Sequence, residues 1–339
     1  MSVKGQRSKV KGLETRVFGR LIVLAAVLAM FGSCEYKDLC YDHNHWSEPN
    51  LVLKLDLKLD LDIDVEVSEE AHTKIDIPTY MVVCFYDVED GSLKKMEFVG
   101  PYGGPLQVNP GTYNMVVYSF DTEWTQVRGE GNVSTLEAFT SDITAMKSPV
   151  FSKFEQDTTE APGPIIYTPD HLLVTQKVVE IPPYTDEEHV ITIEATVGTI
   201  VETYSFEVKN IEGIEYVASV DAFVTNQARA NYFGIGELCQ EPATIYFPME
   251  VNRETWTLKT SFNTFGKLPG ESRSYLNILV TDTKGQPYTH ITDITEQFKD
   301  TAHTIVIEDS IVVPKPAEGG GIAPTVDPWE EENHTVPIG

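Results

Sequence analysis

The most regular feature of the chain is an alternation of apolar and charged residues over residues 51–67. An apolar side chain occupies every odd position from Leu51 to Val67, and every even position except Val52 carries a charge. Because successive side chains of a β-strand point to opposite faces, the alternation predicts a half-exposed antiparallel strand with one buried face. At about 3.3 Å per residue the run exceeds a usual strand, so we expect a bulge, a bend or a strand that spans two sheets.

The charged face of this strand includes several carboxylates, which raises the question of calcium binding. Calcium loops bring their ligands to one point and commonly need a glycine to turn the chain, whereas a straight strand spreads its carboxylates along a line. The pattern therefore favours a solvated face over a calcium site.

Short runs of β-forming residues continue through most of the chain, separated by turn sequences such as Asn109-Pro110-Gly111 and Thr283-Lys284-Gly285. Many short strands with regular turns predict an all-β fold of antiparallel β-sandwiches. One short helix is expected over residues 133–146, where Leu136, Phe139, Ile143 and Met146 recur at helical spacing. The further expected strands are 79–86, 93–99, 112–120, 172–181, 189–197, 200–209, 216–225, 244–247, 255–265, 275–281 and 304–313.

The first 34 residues have the order of an export signal. Six basic residues precede an apolar run over residues 21–31, which ends in Gly32-Ser33-Cys34. A run of about 11 residues suits a secretory signal and falls short of the roughly 20 that a spanning helix needs. Residues 28–34 resemble the lipobox of bacterial lipoproteins, whose cysteine is acylated with fatty acids such as palmitate. Phe31 departs from the usual aliphatic residue, and the alternative is a soluble secreted protein.

Length and composition predict two packed domains. The chain has 339 residues, of which 41% are hydrophobic and 10% aromatic. A proline-rich stretch without period, residues 147–170, precedes the expected boundary, although a long loop within the first domain is the alternative. The expected order is a lipoprotein signal peptide (1–33), a lipidated N-terminal segment (34–50), an N-terminal β-sandwich (51–183), a C-terminal β-sandwich (184–313) and a Pro/Gly/acidic tail (314–339). The tail is expected to be disordered or to pair as a late strand.

The charge of the chain excludes some classes of partner. The formal net charge is −27, and loss of six basic residues and one acid with the first 34 residues leaves about −32. Such a chain is repelled by nucleic acid and by anionic lipid headgroups. Attachment to a membrane is therefore expected through the lipid on Cys34, with no nucleic-acid partner.

The cysteines and histidines give only a weak metal candidate. Besides Cys34, the mature chain has Cys40, Cys84 and Cys239, which allow at most one disulfide, with three possible pairings. His43 and His45 would share one face of an extended strand. No second group of spaced ligands completes a site, so a structural role for this segment is favoured over metal binding.

Catalytic motifs give no enzyme class. The sequence has no G-x-S-x-G, no H-E-x-x-H and no glycine-rich phosphate loop. A pair of carboxylates for glycoside hydrolysis stays open in an acidic chain, but nothing singles one out. We therefore expect no enzyme activity, no catalytic residue and no cofactor.

Tryptophan side chains are candidates for stacking on sugars. Of Trp46, Trp124, Trp256 and Trp329, Trp256 lies in an expected strand and is predicted to be core. Trp124 follows a strand and is the better exposed candidate for a glycan contact, although packing in the core or in a loop is the favoured role.

Three segments together resemble the Bacteroides-type lipoproteins related to fimbrial anchor subunits of the FimB kind. They are the lipobox with Cys34-Glu-Tyr-Lys-Asp-Leu-Cys-Tyr-Asp-His-Asn-His45, the strand-turn-strand at 109–118, and the closing segment 305–321. The resemblance covers essentially the mature chain. It implies two tandem transthyretin-like β-sandwiches, attachment to the outer membrane through Cys34 with surface exposure, and a place at the base of a pilus with fimbrial subunits as partners.

The resemblance also implies how subunits associate. In this family, shaft subunits are trimmed after basic residues and expose a groove that a neighbour's strand fills, whereas anchors keep their first strand and stay lipidated. No arginine occurs in residues 35–127, so a protease that cleaves after arginine cannot remove the strand at Leu51. Cleavage after lysine remains an alternative. The tail after Gly321 is a candidate donor strand.

The function predicted from these features is a lipid-anchored, non-enzymatic surface protein that anchors a fimbrium or serves it as an accessory subunit. The alternative is a glycan-binding surface lipoprotein of a nutrient-uptake system.

Overall fold

The structure is a computed structural model that describes residues 51–60, 75–143, 163–183, 190–268, 273–299 and 303–316. Within these ranges the chain is essentially all β, which confirms the predicted fold class, and its helices are three 3₁₀ turns at Val133–Thr135, Ile214–Tyr216 and Gln297–Lys299. All of the described residues lie in one compact unit. In the described part, no helix has the length and apolar character needed to cross a membrane.

The strands are numbered in chain order. They are β1 Leu51–Leu57, β2 Met81–Asp87, β3 Leu93–Val99, β4 Gly103–Leu106, β5 Gly111–Ser119, β6 Thr125–Arg128, β7 Glu137–Thr140, β8 Ile165–Tyr167, β9 Leu173–Ile181, β10 Ile191–Thr199, β11 Glu202–Val208, β12 Ile211–Glu212, β13 Val217–Ala228, β14 Ala230–Tyr232, β15 Glu237–Leu238, β16 Pro242–Pro248, β17 Glu250–Asn252, β18 Thr257–Thr264, β19 Tyr275–Asp282, β20 Pro287–Asp293, β21 Thr304–Ile307 and β22 Ile311–Val312.

The first sheet contains seven strands in the order β3-β2-β5-β9-β10-β1-β4. Strands from both ends of this order face one core, since Leu53 of β1 and Phe85 of β2 belong to the same buried cluster. The sheet therefore folds over on itself and encloses that core. The sheet bends between β9 and β10, which pair only at Leu173–Thr199 and Val174–Gly198.

The side chains of β1 lie as the alternating pattern predicts. Leu51, Leu53 and Leu55 are 2%, 1% and 7% exposed, whereas Lys54 and Asp56 are exposed to solvent. Burial of the leucines removes apolar surface from water, at about 25 cal/mol per Å², while the charges keep their hydration. The alternation thus fixes which face of β1 points into the core.

The neighbours of β1 correct the prediction of a purely antiparallel strand. β1 pairs in parallel with β10 from Leu51–Ile191 to Leu57–Val197, and its other edge pairs antiparallel with β4. An alternating pattern defines a face but carries no information about the direction of the neighbouring strand. The strand ends at Leu57, and residues 61–67 of the predicted run lie outside the described residues.

β4 lies unusually close to β1 at one glycine. Gly103 has a φ of +97°, and a Cβ at this position would lie 2.0 Å from the backbone oxygen of Leu53. Only glycine adopts this conformation and leaves this space without strain. β1 is therefore held on both edges, and it is a central strand of the sheet.

The second half of the chain forms a sandwich. Its sheets have the orders β20-β19-β13-β16-β8 and β17-β18-β11-β21, and Phe206 of β11 and Ile278 of β19 belong to the single core between them. At the centre, the ring of Phe262 stacks on Phe206 with centroids 5.2 Å apart and on Phe247 with centroids 4.6 Å apart. The tandem transthyretin-like arrangement implied by the resemblance stays a prediction.

The two halves of the chain exchange strands across the predicted boundary between residues 183 and 184. β10 follows this boundary in sequence but pairs in the first sheet, whereas β8 precedes it and pairs with β16 of the second sandwich. A small sheet, β15-β14-β7-β6, combines strands from both halves. It packs on the outer face of the first sheet through a shared apolar cluster that includes Tyr118, Leu136 and Phe233.

The helix expected over residues 133–146 is wrong in its described part. Val133–Thr135 form a 3₁₀ turn capped by the Asn132 side chain, which accepts a hydrogen bond from the Ser134 backbone N–H. β7 follows directly and pairs with β6 and β14. Leu136, Glu137 and Ala138 are all buried, so burial here follows no helical spacing. This tertiary pairing overrides the helical spacing, and residues 144–146 lie outside the described part.

The burial of Leu53 gives a direct test of the role of β1. We expect Leu53→Ala to lower the free energy of unfolding by about 2–5 kcal/mol, because it leaves a cavity in a closed core. The neighbouring Lys54→Ala, on the solvated face, is the matched control and should change stability by no more than about 0.5 kcal/mol. Urea unfolding followed by tryptophan fluorescence measures both. Equal effects of the two substitutions would contradict the burial of this face.

Candidate interaction surfaces

The C-terminal strands of the described chain lie beside consecutive strands of the second half. β21 pairs in parallel with β11 from Ser205–Thr304 to Val208–Ile307. β22 then pairs in parallel with β12, and the Val313 backbone N–H donates to the Glu212 carbonyl over 2.8 Å. The side chains of Ile305, Ile307, Ile311 and Val313 are all buried. These last described strands therefore lie at an edge of the second sandwich, with their apolar side chains in its core.

A buried polar network holds the junction between the two halves. The Thr203 hydroxyl donates to Asn263 Oδ1 over 2.7 Å, so the 3.1 Å contact with His171 Nε2 requires that this nitrogen carry the proton and donate. His171 Nδ1 lies 2.8 Å from the Thr199 hydroxyl, and Asn263 Nδ2 donates to the Pro169 carbonyl over 2.9 Å. Buried hydrogen bonds of this kind favour one relative position of the elements that they join.

An aromatic patch, defined as Tyr80, Phe98 and Phe120, lies at one end of the first sheet. Phe98 and Phe120 are each 59% exposed and Tyr80 is 56% exposed. The rings of Phe98 and Phe120 meet edge to face with centroids 5.7 Å apart. Asp121 follows the patch and accepts a hydrogen bond from the Thr79 backbone N–H. Exposed groups of large apolar side chains are typical of protein contacts, so the patch is a candidate contact surface.

Several of the predicted site residues lie outside the described part of the chain. They are Cys34, the lipidation candidate; His43 and His45, the weak metal candidates; and Cys40, Trp46 and Trp329. Their roles stay predictions.

Of the two described tryptophans, Trp256 differs from its predicted position in the core. Trp256, predicted as core, is 52% exposed and has a φ of +59° in the turn between β17 and β18. Trp124 is partly buried, its ring packs on Tyr167 with centroids 4.4 Å apart, and its backbone N–H donates to the Asp170 carboxylate. One face of the Trp124 ring is thus occupied by protein, and a glycan contact at Trp124 stays a prediction.

The described cysteines are core thiols. Cys84 and Cys239 are both buried and free, so they do not pair with each other. Desolvation by burial raises the pKa of the Cys84 thiol to about 11. Because the thiolate is the reactive form, Cys84 is protonated at neutral pH and is suited to packing rather than to nucleophilic chemistry.

The sequence did not reveal the junction network or the aromatic patch. His171, Thr203 and Asn263 are far apart in the sequence and meet only because the segment before β9 lies against β11 and β18. Phe98 and Phe120 did lie in expected strands, but their exposure depends on which elements cover each face. In neither case does local periodicity carry the information.

Comparison with known proteins defines the family. Residues 33–248 match a family described as a domain of unknown function, DUF5119. This match includes more than half of the chain, and the chain belongs to that family. A candidate fimbrium anchoring subunit of Bacteroides ovatus, Fim4B, is 25% identical over 358 residues, which cover 95% of this chain and 98% of the relative.

A solved structure shares the fold. The crystal structure of a candidate adhesin from Bacteroides ovatus superposes with a TM-score of 0.58 at 23% sequence identity, covering 80% of this chain and 95% of that chain. At this identity the likeness concerns the architecture alone.

Proposed function

We propose that this chain is a non-enzymatic surface protein, held to the outer membrane by a lipid on Cys34, that anchors a fimbrium or serves it as an accessory subunit. The observation that carries the proposal is the similarity to a fimbrium anchoring subunit over nearly the full length of both chains. Its partners are then other fimbrial subunits. The lipid itself rests on the basic, apolar and small residues that precede Cys34.

The position of β1 supports the role of an anchor over that of a shaft subunit. A shaft subunit gives up its first strand to open a groove, whereas β1 is a central strand whose inward side chains are buried.

The first arginine after Cys34 is Arg128, which lies within β6. Its guanidinium pairs with Glu137 and lies 4.2 Å from the centroid of the Phe139 ring. Backbone paired in a strand is a poor protease substrate, which disfavours arginine-directed removal of β1.

Association with other subunits is proposed to use the C-terminal tail as a donated strand. An extended segment satisfies an open sheet edge with backbone hydrogen bonds, and its alternate side chains fill pockets. The tail follows β22, whose neighbouring residue Val313 is hydrogen-bonded to Glu212, so a strand donated by residues 322–339 would be attached to a fixed point.

The lipid is tested by substitution of its acceptor. We expect Cys34→Ser to move the protein from the membrane to the soluble fraction, because the acyl chains supply the anchoring free energy. Cys40→Ser is the matched control and should stay with the membrane. Fractionation and immunoblotting measure the distribution, and circular dichroism of the released protein should show an unchanged fold. A Cys34→Ser protein that still sediments with membranes would overturn the lipid anchor.

The donor role of the tail is tested by truncation. We expect deletion of residues 322–339 to abolish copurification of fimbrial subunits from native membranes, because it removes the donated strand. Replacement of the same residues by a scrambled sequence of equal composition controls for length and charge, and it should also lose the subunits. Unchanged copurification after deletion would exclude the tail as the donor.

A further inference from the structure

The strands at the two ends of the described chain share one geometric relation. β1 runs parallel to β10, and β21 runs parallel to β11. We call β1–β10 and β11–β21 the terminal pairs. In most all-β folds neighbouring strands along the chain pair antiparallel through hairpins. Here a strand near each end of the described chain instead lies beside a distant strand that points the same way.

The inner members of the terminal pairs are consecutive in the chain. β10 ends at Thr199 and β11 begins at Glu202, so only Ile200 and Val201 separate them. This short connection is itself fixed, since the Ile200 backbone N–H donates to the Leu172 carbonyl over 3.1 Å and Val201 is 3% exposed. A pull on β10 is therefore transmitted directly to β11.

Tension on the chain ends loads both terminal pairs in shear. A tether that precedes β1 pulls on the N-terminal end of β1. The opposing force reaches β10 at the C-terminal end of β10, where the chain continues into β11. In a parallel pair these two ends lie at opposite ends of the ladder, so the strands are pulled along their axis in opposite directions. The same holds for β11, loaded at its N-terminal end, and β21, loaded at its C-terminal end. All cross-strand hydrogen bonds of a pair then share the load.

We propose that the terminal pairs are two shear clamps in series, which carry tension from the N-terminal tether to the C-terminal tail. The inference rests on the proposed function, in which Cys34 is held by the membrane and the tail by a partner subunit. The opposite pulling direction would separate the strands of a pair one hydrogen bond at a time.

Packing adds to the resistance of the first clamp. Sliding β1 along its axis would draw its buried leucines past the core and would break its register with β4 as well as with β10. The alternating pattern alone would allow β1 to slip by two residues, because a shift of two residues again places apolar side chains on the buried face. Glu194 opposes Lys54 in the observed register, and such a slip would place Asp56 opposite Glu194. Like charges directly opposite are destabilising, which disfavours the slipped register.

The second clamp is buried to a similar degree. Ile305 and Ile307 of β21 are 0% and 3% exposed. The ladder extends beyond β21, since the Lys209 backbone N–H donates to the Ile307 carbonyl over 2.8 Å and β12 pairs with β22 in the same parallel sense. The C-terminal end of the described chain is therefore attached over more of its length than β21 alone.

The test is single-molecule force spectroscopy on the unlipidated mature chain with handles at chosen cysteines. The reference protein carries Asn50→Cys and Pro316→Cys, which load both pairs in shear. One variant moves the first handle to Asp60→Cys, three residues after the end of β1. A second variant moves the last handle to Thr301→Cys, three residues before the start of β21. Cys34 and Cys40 are replaced by serine, and the buried Cys84 and Cys239 are kept.

We expect the reference protein to unfold at a force about twofold or more above that of either variant, because shear breaks a ladder as a unit and unzipping does not. Urea midpoints should be equal in all three proteins, so that a difference in force reports direction rather than stability. A relocated handle that leaves the unfolding force unchanged overturns the clamp at that pair.

Failure of this test and failure of the proposed function are separable. The force measurement uses the isolated chain, so unchanged forces would remove the clamps and leave the fimbrial role intact. Failure of the fimbrial role would appear as no copurification of fimbrial subunits with the intact protein from native membranes, with the unfolding forces unaffected.

Discussion

The insertion of β1 between β10 and β4 is the interaction on which the rest of the first half depends. Its buried leucines complete a core that strands from both ends of the folded sheet share. Full burial of one leucine side chain contributes about 1.5–3 kcal/mol, so three of them outweigh most single interactions in a domain. Without β1, the edges of β10 and β4 would both be open, and the folded sheet would expose its interior.

The same strand relates the fold to the proposed role. β1 is the first described element after the segment that carries Cys34, and its partner β10 is connected to β11 by only two residues, Ile200 and Val201. The first sheet, the small sheet and the second sandwich are further joined by an apolar cluster and by the hydrogen bonds around Asn263. A membrane tether on one end and a partner on the other would therefore act on one compact unit.

The sequence predicted the all-β class, the buried face of β1 and the location of most long strands, because these follow from side-chain periodicity. It did not predict the parallel pairing of β1 with β10, since a strand pattern does not encode the direction of a distant partner. The expected helix at 133–146 and the core position of Trp256 failed for a related reason. Strand pairing by β7 and a turn at Trp256 are set by tertiary neighbours, which local patterns do not show.

The central claim, that β1 is an integral central strand, is tested most directly by amide hydrogen exchange of the mature chain. The account expects the hydrogen-bonded amides of residues 52–57 to exchange as slowly as those of β2 and β5, because opening them requires the first core to open. Rapid exchange in residues 52–57 while β2 and β5 stay protected would mean that β1 detaches independently, and this result would contradict the account.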